Sequence, residues 1–429
     1  MELGTAKRCI TPQKSLRLSG FSFRNKKFDE VSQDIYLRVY FVKHLKRQLV
    51  IVYADLLGWG DPLVSRLRTE CSQKFGLRAQ DLFFVASHNH SGPPSGLVAT
   101  HAVEEPDPAY CDFLIQEVLI GIESAEKTME PVDLFRNDGV CPFNIYRRKP
   151  EGPGATMRPN YEVPADQRLA TISFRKRDGA LKGILISYAC HANIAGGNTL
   201  HPDFPGIAMD LMDRRFPGCV CLFLQGFTGD MRANFVLGNE FYRGSYQDAA
   251  VFGERFGKLC ANLAEQRSEE IPPFLYSNQM RSKLPLKNSV GREECLRLIN
   301  QGSLLEKDWA EVIQKKAFAA YETLDAGLIV LGAGIEFFTL NAEVSRFYAE
   351  YARTLVPDAL CAGYANGLIG YLCTEMQIRH GGYEPKESAV YFGLNGTYPP
   401  EIEQKIQGAL ETLWRNAQKE IERDGFSKE

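Results

Sequence analysis

Apolar residues along the first half of the chain occur in two kinds of run. Short runs rich in Val, Ile, Tyr or Phe and bounded by turn residues predict strands, and longer mixed runs that begin at a proline predict helices. The charged turn from His44 to Arg47 separates the first two strands and predicts a hairpin. The predicted strands are Asp34 to Val42, Leu49 to Ala54, Leu82 to Ala86, Ala170 to Phe174, Gly183 to Tyr188 and Val220 to Leu224, and the predicted helices lie between Asp61 and Gly76, from Asp107-Pro108 to about Lys127, and from about Pro205.

The second half continues this mixture. The stretch from Tyr146 to Asp166 is rich in Pro and Gly and predicts a long loop. Hairpins interleaved with helices favour an α/β fold of the α+β type, in which stacked mixed β-sheets are covered by helices in an αββα-like layering. The predicted helices are Asp248 to Gln266, Glu293 to Gln301, Asp308 to Thr323, Glu343 through Ala352 and Pro399 to Gln418, and the predicted strands are Gly327 to Leu331 and Gly334 to Leu340, joined as a hairpin, followed by Ala359 to Tyr364 and Leu368 to Leu372.

Composition limits the classes of function. The formal net charge of -3 argues against a nucleic-acid partner, since neutralising phosphates needs a basic excess. No secretory signal and no apolar run of membrane-spanning length is visible, so we expect a cytoplasmic protein without a transmembrane segment. Its eleven cysteines are then expected to be reduced thiols. The length of 429 residues is expected to form a single domain over residues 1–429, and the oligomeric state is left open.

The seven histidines are unevenly placed. His88 and His90 follow a predicted strand in the motif Ser-His-Asn-His-Ser-Gly-Pro, and residues two apart in an extended segment point to the same side. His191 follows a second strand. Neutral imidazole is a common zinc ligand, so two strand ends that carry histidine favour a metal site, whereas an isolated pair is equally typical of a structural role. In the loop after a third strand, Asp230 orients a ligand histidine, accepts a hydrogen bond from a substrate, or caps a turn.

At these residues the sequence resembles the neutral ceramidase family, in its catalytic N-terminal domain. The resemblance spans almost the whole chain, which is therefore expected to be a short member without the family's immunoglobulin-like C-terminal domain. The motif from His88 to Pro93 is its most specific part. The other matching segments are Cys9-Ile10-Thr11-Pro12, Tyr53-Ala54-Asp55-Leu56, His191, Gln225 to Asn234, Ala342-Glu343, and Gly370-Tyr371-Leu372 through Gly382-Tyr383-Glu384-Pro385.

The resemblance implies a set of functional residues. The zinc ion (Zn2+) of the family would be held here by His88, His191, Glu343 and Tyr383. His90 would act in acid–base transfer. The remaining expected site residues are Asp203 and Asp230, either of which could orient a ligand histidine, and Arg147, Asn89 and Ser91, which are expected to bind substrate.

One departure from the family bears on function. Arg232 stands where the ceramidases carry a serine, and it would favour a substrate with a carboxylate or phosphate if it points into the cavity. The sequence thus predicts a zinc-dependent, amidase-like hydrolase that cleaves an N-acyl amide or related acyl bond with metal-activated water. Its substrate would be a small or lipid-like acyl compound other than membrane ceramide. Two alternatives stay open: a phosphoester or sugar-ester hydrolase in which Arg147 and Arg232 clamp the anion, and an inactive ligand-binding member of the family.

Overall fold

The computed structural model describes residues 1–424. Within them the helices are α1 (Asp61–Phe75), α2 (Pro108–Lys127), α3 (Asp203–Arg215), α4 (Tyr246–Ala264), α5 (Arg292–Gln301), α6 (Leu304–Lys315), α7 (Arg346–Leu355), α8 (Glu375–His380) and α9 (Ile402–Arg423). The strands are β1 (Glu2–Cys9), β2 (Tyr36–His44), β3 (Arg47–Ala54), β4 (Leu82–Ala86), β5 (Glu130–Pro131), β6 (Asp133–Val140), β7 (Asn144–Glu151), β8 (Gly154–Asn160), β9 (Arg168–Arg175), β10 (Leu181–Tyr188), β11 (Val220–Gln225), β12 (Met231–Ala233), β13 (Val236–Leu237), β14 (Glu240–Phe241), β15 (Glu270–Ile271), β16 (Pro273–Pro285), β17 (Tyr321–Gly332), β18 (Ile335–Leu340), β19 (Glu343–Val344), β20 (Leu360–Ala362) and β21 (Tyr371–Leu372).

Two five-stranded mixed sheets form the centre of the molecule. The first has the strand order β4-β3-β2-β1-β5 and the second the order β11-β10-β9-β6-β15. Side chains from both sheets, such as Ile51 and Ile184, share one buried core. Val52 points to the opposite face of the first sheet, where it joins residues of α1 and α2. Helices α3 and α4 cover the second sheet, with Phe223 and Phe256 in edge-to-face contact at 6.1 Å. The predicted αββα layering is confirmed.

A four-stranded sheet of order β16-β17-β18-β20 extends the molecule. Helices α7 and α9 cover it through a second core that includes Leu328, Tyr348 and Leu410. Each such side chain contributes roughly 1.5–3 kcal/mol when fully buried, so this core holds the C-terminal third in place. None of the helices in residues 1–424 has the length and apolar composition needed to cross a bilayer.

Several predicted elements are confirmed, and three predictions are wrong. The hairpin β2-β3, the helices α1 and α2, and the hairpin β17-β18 are present. The predicted loop from Tyr146 to Asp166 instead contains the antiparallel hairpin β7-β8, in which Pro159 lies on an edge strand that tolerates proline. The helix predicted to Thr323 ends at Lys315, because Tyr321 already begins β17. Glu343 lies in strand β19, and the helix predicted from it begins only at Arg346.

Candidate metal centre

The strand ends in the two central sheets place the histidines. His88 follows β4 in the left-handed region with φ of 60°, a conformation that is uncommon for a residue with a side chain and that clusters at functional sites. Its Nδ1 lies 2.8 Å from the backbone carbonyl oxygen of Leu57. Because a carbonyl only accepts, Nδ1 carries the proton, and the lone pair of Nε2 is free to bind a cation.

Gln225, the last residue of β11, ties the two histidine loops together. Its Nε2 donates to the carbonyl of Ser87 at 2.8 Å, and its Oε1 accepts from the amide of Cys190 at 3.1 Å. The amide of His90 also donates to the carbonyl of Ala192 at 3.1 Å. These bonds hold the segments after β4 and β10 against each other, so the imidazoles meet in a defined geometry.

Three imidazole nitrogens converge in the interior. Nε2 of His90 lies 3.2 Å from Nε2 of His88 and 3.1 Å from Nε2 of His191, and all three rings are buried. Nδ1 of His90 donates to the carbonyl of Gly20 at 3.1 Å, which again leaves Nε2 as an acceptor. The three potential ligand atoms lie within 4.8 Å of one another. Lone pairs of His88 and His90 that face each other repel unless a cation or a proton lies between them.

Burial sets the protonation of two of these rings. It lowers the pKa of His90 and of His191 well below the ordinary value, and the charges of nearby arginines such as Arg147 and Arg232 lower both further. Both imidazoles are therefore neutral near pH 7. Neutral imidazole is the form that binds metal ions.

Glu343 supplies a carboxylate to the same centre. Its Oε2 lies 3.4 Å from Nε2 of His88, and this buried oxygen has no hydrogen-bond partner within residues 1–424. An unpartnered oxygen in the interior is costly, and a cation beside it would remove that cost. Imidazole nitrogens and a carboxylate oxygen, the donors that meet here, are of the kind that binds zinc.

Asp230 holds the segment that carries Glu343. Its carboxylate accepts from Ser345 Oγ at 2.5 Å, from the amide of Arg346 at 2.8 Å and from Gln377 Nε2 at 2.7 Å. Within residues 1–424, Asp230 accepts from these groups, whereas one expected role was to accept from a ligand histidine. The Nδ1 groups of His88 and His90 instead donate to backbone carbonyl oxygens.

Tyr383 lines the same cavity as His90 and His191. Its ring lies 5.7 Å from that of Tyr371 in an edge-to-face contact. Burial raises the pKa of the Tyr383 phenol, and the negative charge of Glu343 raises it further. The phenol is therefore protonated at neutral pH unless a cation is bound close to it.

Arg147 is a buried neighbour of the imidazoles. Its Nε donates to Glu384 Oε1 at 2.9 Å, and Arg148 donates to the other oxygen of the same carboxylate. Nη1 of Arg147 lies 3.3 Å from Nδ1 of His191. That separation is at the long limit of a hydrogen bond, so it leaves the proton position on His191 open.

The remaining predicted residues support loops or line the cavity. Asn89 Nδ2 donates to the carbonyls of Asp55 and His201, and its Oδ1 accepts from the amide of Ser91. Asp203 accepts from the amides of Ile194 and Phe204, which stabilises the loop after His191 rather than the ring itself. Arg232 lines the cavity, and its Nε donates to Asn193 Oδ1 at 3.3 Å.

Tyr364, Glu384 and Arg243 lie in or around this centre without having been expected as site residues. The Tyr364 ring stacks on His88 at 4.0 Å, and its hydroxyl lies 2.5 Å from Thr228 Oγ1. Glu384 pairs with two buried arginines, and Arg243 lines the cavity mouth. Only Glu384 had a sequence signal, because it directly follows Tyr383 in a segment that matches the family.

The cavity beside the imidazoles has a volume of about 200 Å³. His90, His191, Arg147 and Arg232 line this cavity, together with aromatic side chains that include Phe21 and Tyr391. A small substrate in the cavity would therefore contact the histidines, arginine side chains and aromatic rings.

Comparisons with known proteins extend this description. No protein-family model and no curated protein sequence matches the chain. Among solved structures, it is similar to neutral ceramidase from Pseudomonas aeruginosa, with a TM-score of 0.78 and 17% identity over 100% of this chain and 75% of that one. It is also similar to a ceramidase complexed with C2, with a TM-score of 0.78 and 16% identity over 98% of this chain and 75% of that one. This chain has the neutral ceramidase fold.

Proposed function

We propose that the protein is a zinc-dependent hydrolase that cleaves an N-acyl amide or a related acyl bond. The observation that carries the proposal is the convergence of three buried imidazole nitrogens and an unpartnered Glu343 oxygen beside a cavity. The fold shared with neutral ceramidase supports the same reaction class. His88, His191, Glu343 and Tyr383 would hold the zinc ion. When bound, zinc polarises a carbonyl and lowers the pKa of water, which promotes hydrolysis at neutral pH.

The protein's own residues would handle the proton. In amide hydrolysis, a water oxygen bonds to the acyl carbon, the carbon–nitrogen bond breaks, and the nitrogen leaves as an amine after gaining a proton. Nε2 of His90 is an acceptor because Nδ1 donates to Gly20, so it would take the proton from water and deliver it to the leaving nitrogen. This route needs no serine nucleophile, so arginine at position 232 is compatible with it.

Surrounding residues would keep this arrangement rigid. Gln225 braces the histidine loops, and Asp230 fixes the segment after Glu343. Misplacing reacting groups by about 1 Å can cost on the order of a hundredfold in rate, so such bracing matters for turnover.

The test is release of a primary amine from a panel of N-acyl compounds by the purified protein. We expect release that stops after treatment with a chelator, returns with zinc, and is lost in His191→Ala. His44→Ala removes a histidine at the end of β2 and serves as the matched control with unchanged release. Phosphate release from phosphoesters without any amine release would favour the phosphoester alternative. Bound zinc with neither product would favour a ligand-binding protein.

A further inference from the structure

The cavity carries a positive charge that the protein does not neutralise. Arg147 is paired with Glu384 at 2.9 Å, but Arg232 donates only to the neutral amide oxygen of Asn193. No carboxylate oxygen of residues 1–424 lies within 4.0 Å of the Arg232 guanidinium, although its side chain is only 7% exposed. A buried guanidinium without a counter-ion is unfavourable, so this site is suited to an anionic ligand.

Arg243 adds a second cation at the cavity mouth. Its guanidinium lies 5.0 Å from the Phe21 ring and 4.9 Å from the Phe23 ring, and these two rings stack on each other, so the cation packs beside the aromatic pair. Burial, together with the charges of Arg147 and Arg243, lowers the pKa of Arg232 to about 9. The guanidinium is still charged at pH 7, and the electrostatic effect indicates that the positive groups act on one another across the cavity.

The shape of the cavity narrows the ligand class. Its volume of about 200 Å³ is below the roughly 300–1,000 Å³ of cavities that take drug-sized ligands, so the cavity is too small for a lipid with two chains. Nε of Arg232 already donates to Asn193, so the two Nη groups are the donors available to a ligand. Their planar geometry matches the two oxygens of a carboxylate.

We propose that Arg232 is the carboxylate-binding residue of the substrate site, assisted by Arg243, and that the substrate is a small N-acylated amino acid or similar amide acid. This inference rests on the proposed hydrolase function for the identity of the reacting bond. The carboxylate would bind to Arg232 and direct the acyl carbonyl towards His90 and His191, which line the same cavity.

Binding without turnover is tested with levulinate, a ketone that has the shape of N-acetylglycine but no bond to hydrolyse. Isothermal calorimetry on the protein as purified should show levulinate binding at least about tenfold tighter than the neutral analogue 5-hydroxypentan-2-one, because a charge-assisted hydrogen bond is lost in the latter. Arg232→Gln should abolish that preference. Arg177→Gln, on the exposed turn between β9 and β10, should retain it.

Further variants and ligands complete the test. Arg232→Lys keeps the charge but not the planar fork, so it should show an intermediate preference even if Arg232→Gln fails to fold. Equal binding of both ketones to the natural protein would overturn the inference, as would unchanged levulinate binding in Arg232→Gln. Inorganic phosphate that displaces levulinate and binds more tightly would also overturn the assignment to a carboxylate.

Hydrolysis assays distinguish a failure of the carboxylate site from a failure of the hydrolase function. N-acetylglycine should be hydrolysed with a higher kcat/KM than N-acetylglycinamide, and Arg232→Gln should remove the difference. Arg232-dependent levulinate binding without hydrolysis of either amide would reject the hydrolase function and keep the anion site. Equal hydrolysis of both amides with no effect of Arg232→Gln would reject the anion site and keep the hydrolase function.

Discussion

Replacing Glu384 with glutamine tests the electrostatic core beside the candidate metal centre. The Glu384 carboxylate binds two guanidinium groups, those of Arg147 and Arg148, and all three side chains are at most 3% exposed. Glutamine has nearly the same shape but no charge. The variant therefore leaves two buried cations without their shared counter-ion.

The expected cost is large for a single side chain. Breaking a buried ion pair by removing one partner costs about 3–5 kcal/mol in free energy of unfolding. At about 2.1 cal/mol/K for each of the 429 residues, the unfolding entropy is roughly 0.9 kcal/mol/K, so the melting temperature should fall by about 3–6 °C. Loss of the bond to Arg147 should also free that side chain, which lies 3.3 Å from His191.

The matched control is Glu375→Gln, which removes the same charge from an exposed pair. Glu375 and Arg379 are 50% and 67% exposed in α8, and such pairs contribute about 0.2–1 kcal/mol. Thermal unfolding followed by circular dichroism at low and high salt compares the variants. Equal shifts for Glu384→Gln and Glu375→Gln would refute the reasoning, as would a shift for Glu384→Gln that disappears in high salt.

Three further predictions concern single side chains. Burial raises the pKa of the Glu104 carboxyl from 4.5 to about 7. The stability that the protonated carboxyl contributes is therefore fully present below pH 4.5 and is lost as the pH rises through 7. Glu104→Gln should remove roughly 3 kcal/mol of this pH dependence from the free energy of unfolding, measured with denaturant between pH 5 and 8. The same pH dependence in the natural protein and the variant would contradict this. His90→Ala should lower amine release by about a hundredfold or more while zinc stays bound, whereas loss of zinc would make His90 a ligand instead. Tyr364→Phe should keep the ring on His88 but remove the hydroxyl that contacts Thr228 Oγ1, which should lower the free energy of unfolding by about 1–2 kcal/mol. An unchanged midpoint in urea unfolding would contradict this.

The elements found from sequence are those with a strong local pattern. The strand Leu82–Ala86 is entirely apolar, and α2 has a proline in its first turn after Asp107, whose side chain caps it. The edge strand β16 was missed, because its partly exposed residues mix polar and apolar types without a clear period. The hairpin β7-β8 was missed because its prolines and glycines indicated a loop, although a hairpin turn often contains glycine.

Some residues of the candidate site were likewise expected from the sequence, and others were not. His88, His191 and Glu343 lie together as the sequence led us to expect, while their role as metal ligands stays a prediction. The partners of Asp203 and Asp230 could not be predicted, since a carboxylate on a loop has many donors within reach and the path of the loop decides among them. Contacts such as Tyr364 on His88 join residues far apart in the chain and leave no local signal.

We expect one divalent metal ion to bind where the buried imidazoles meet Glu343, and metal content measured by mass spectrometry on purified protein tests this binding. We predict about one equivalent of zinc in the natural protein and in His44→Ala. We predict far less in His88→Ala, His191→Ala and Glu343→Ala, each shown to be folded by circular dichroism. Zinc content that is the same in all five proteins would contradict the claim.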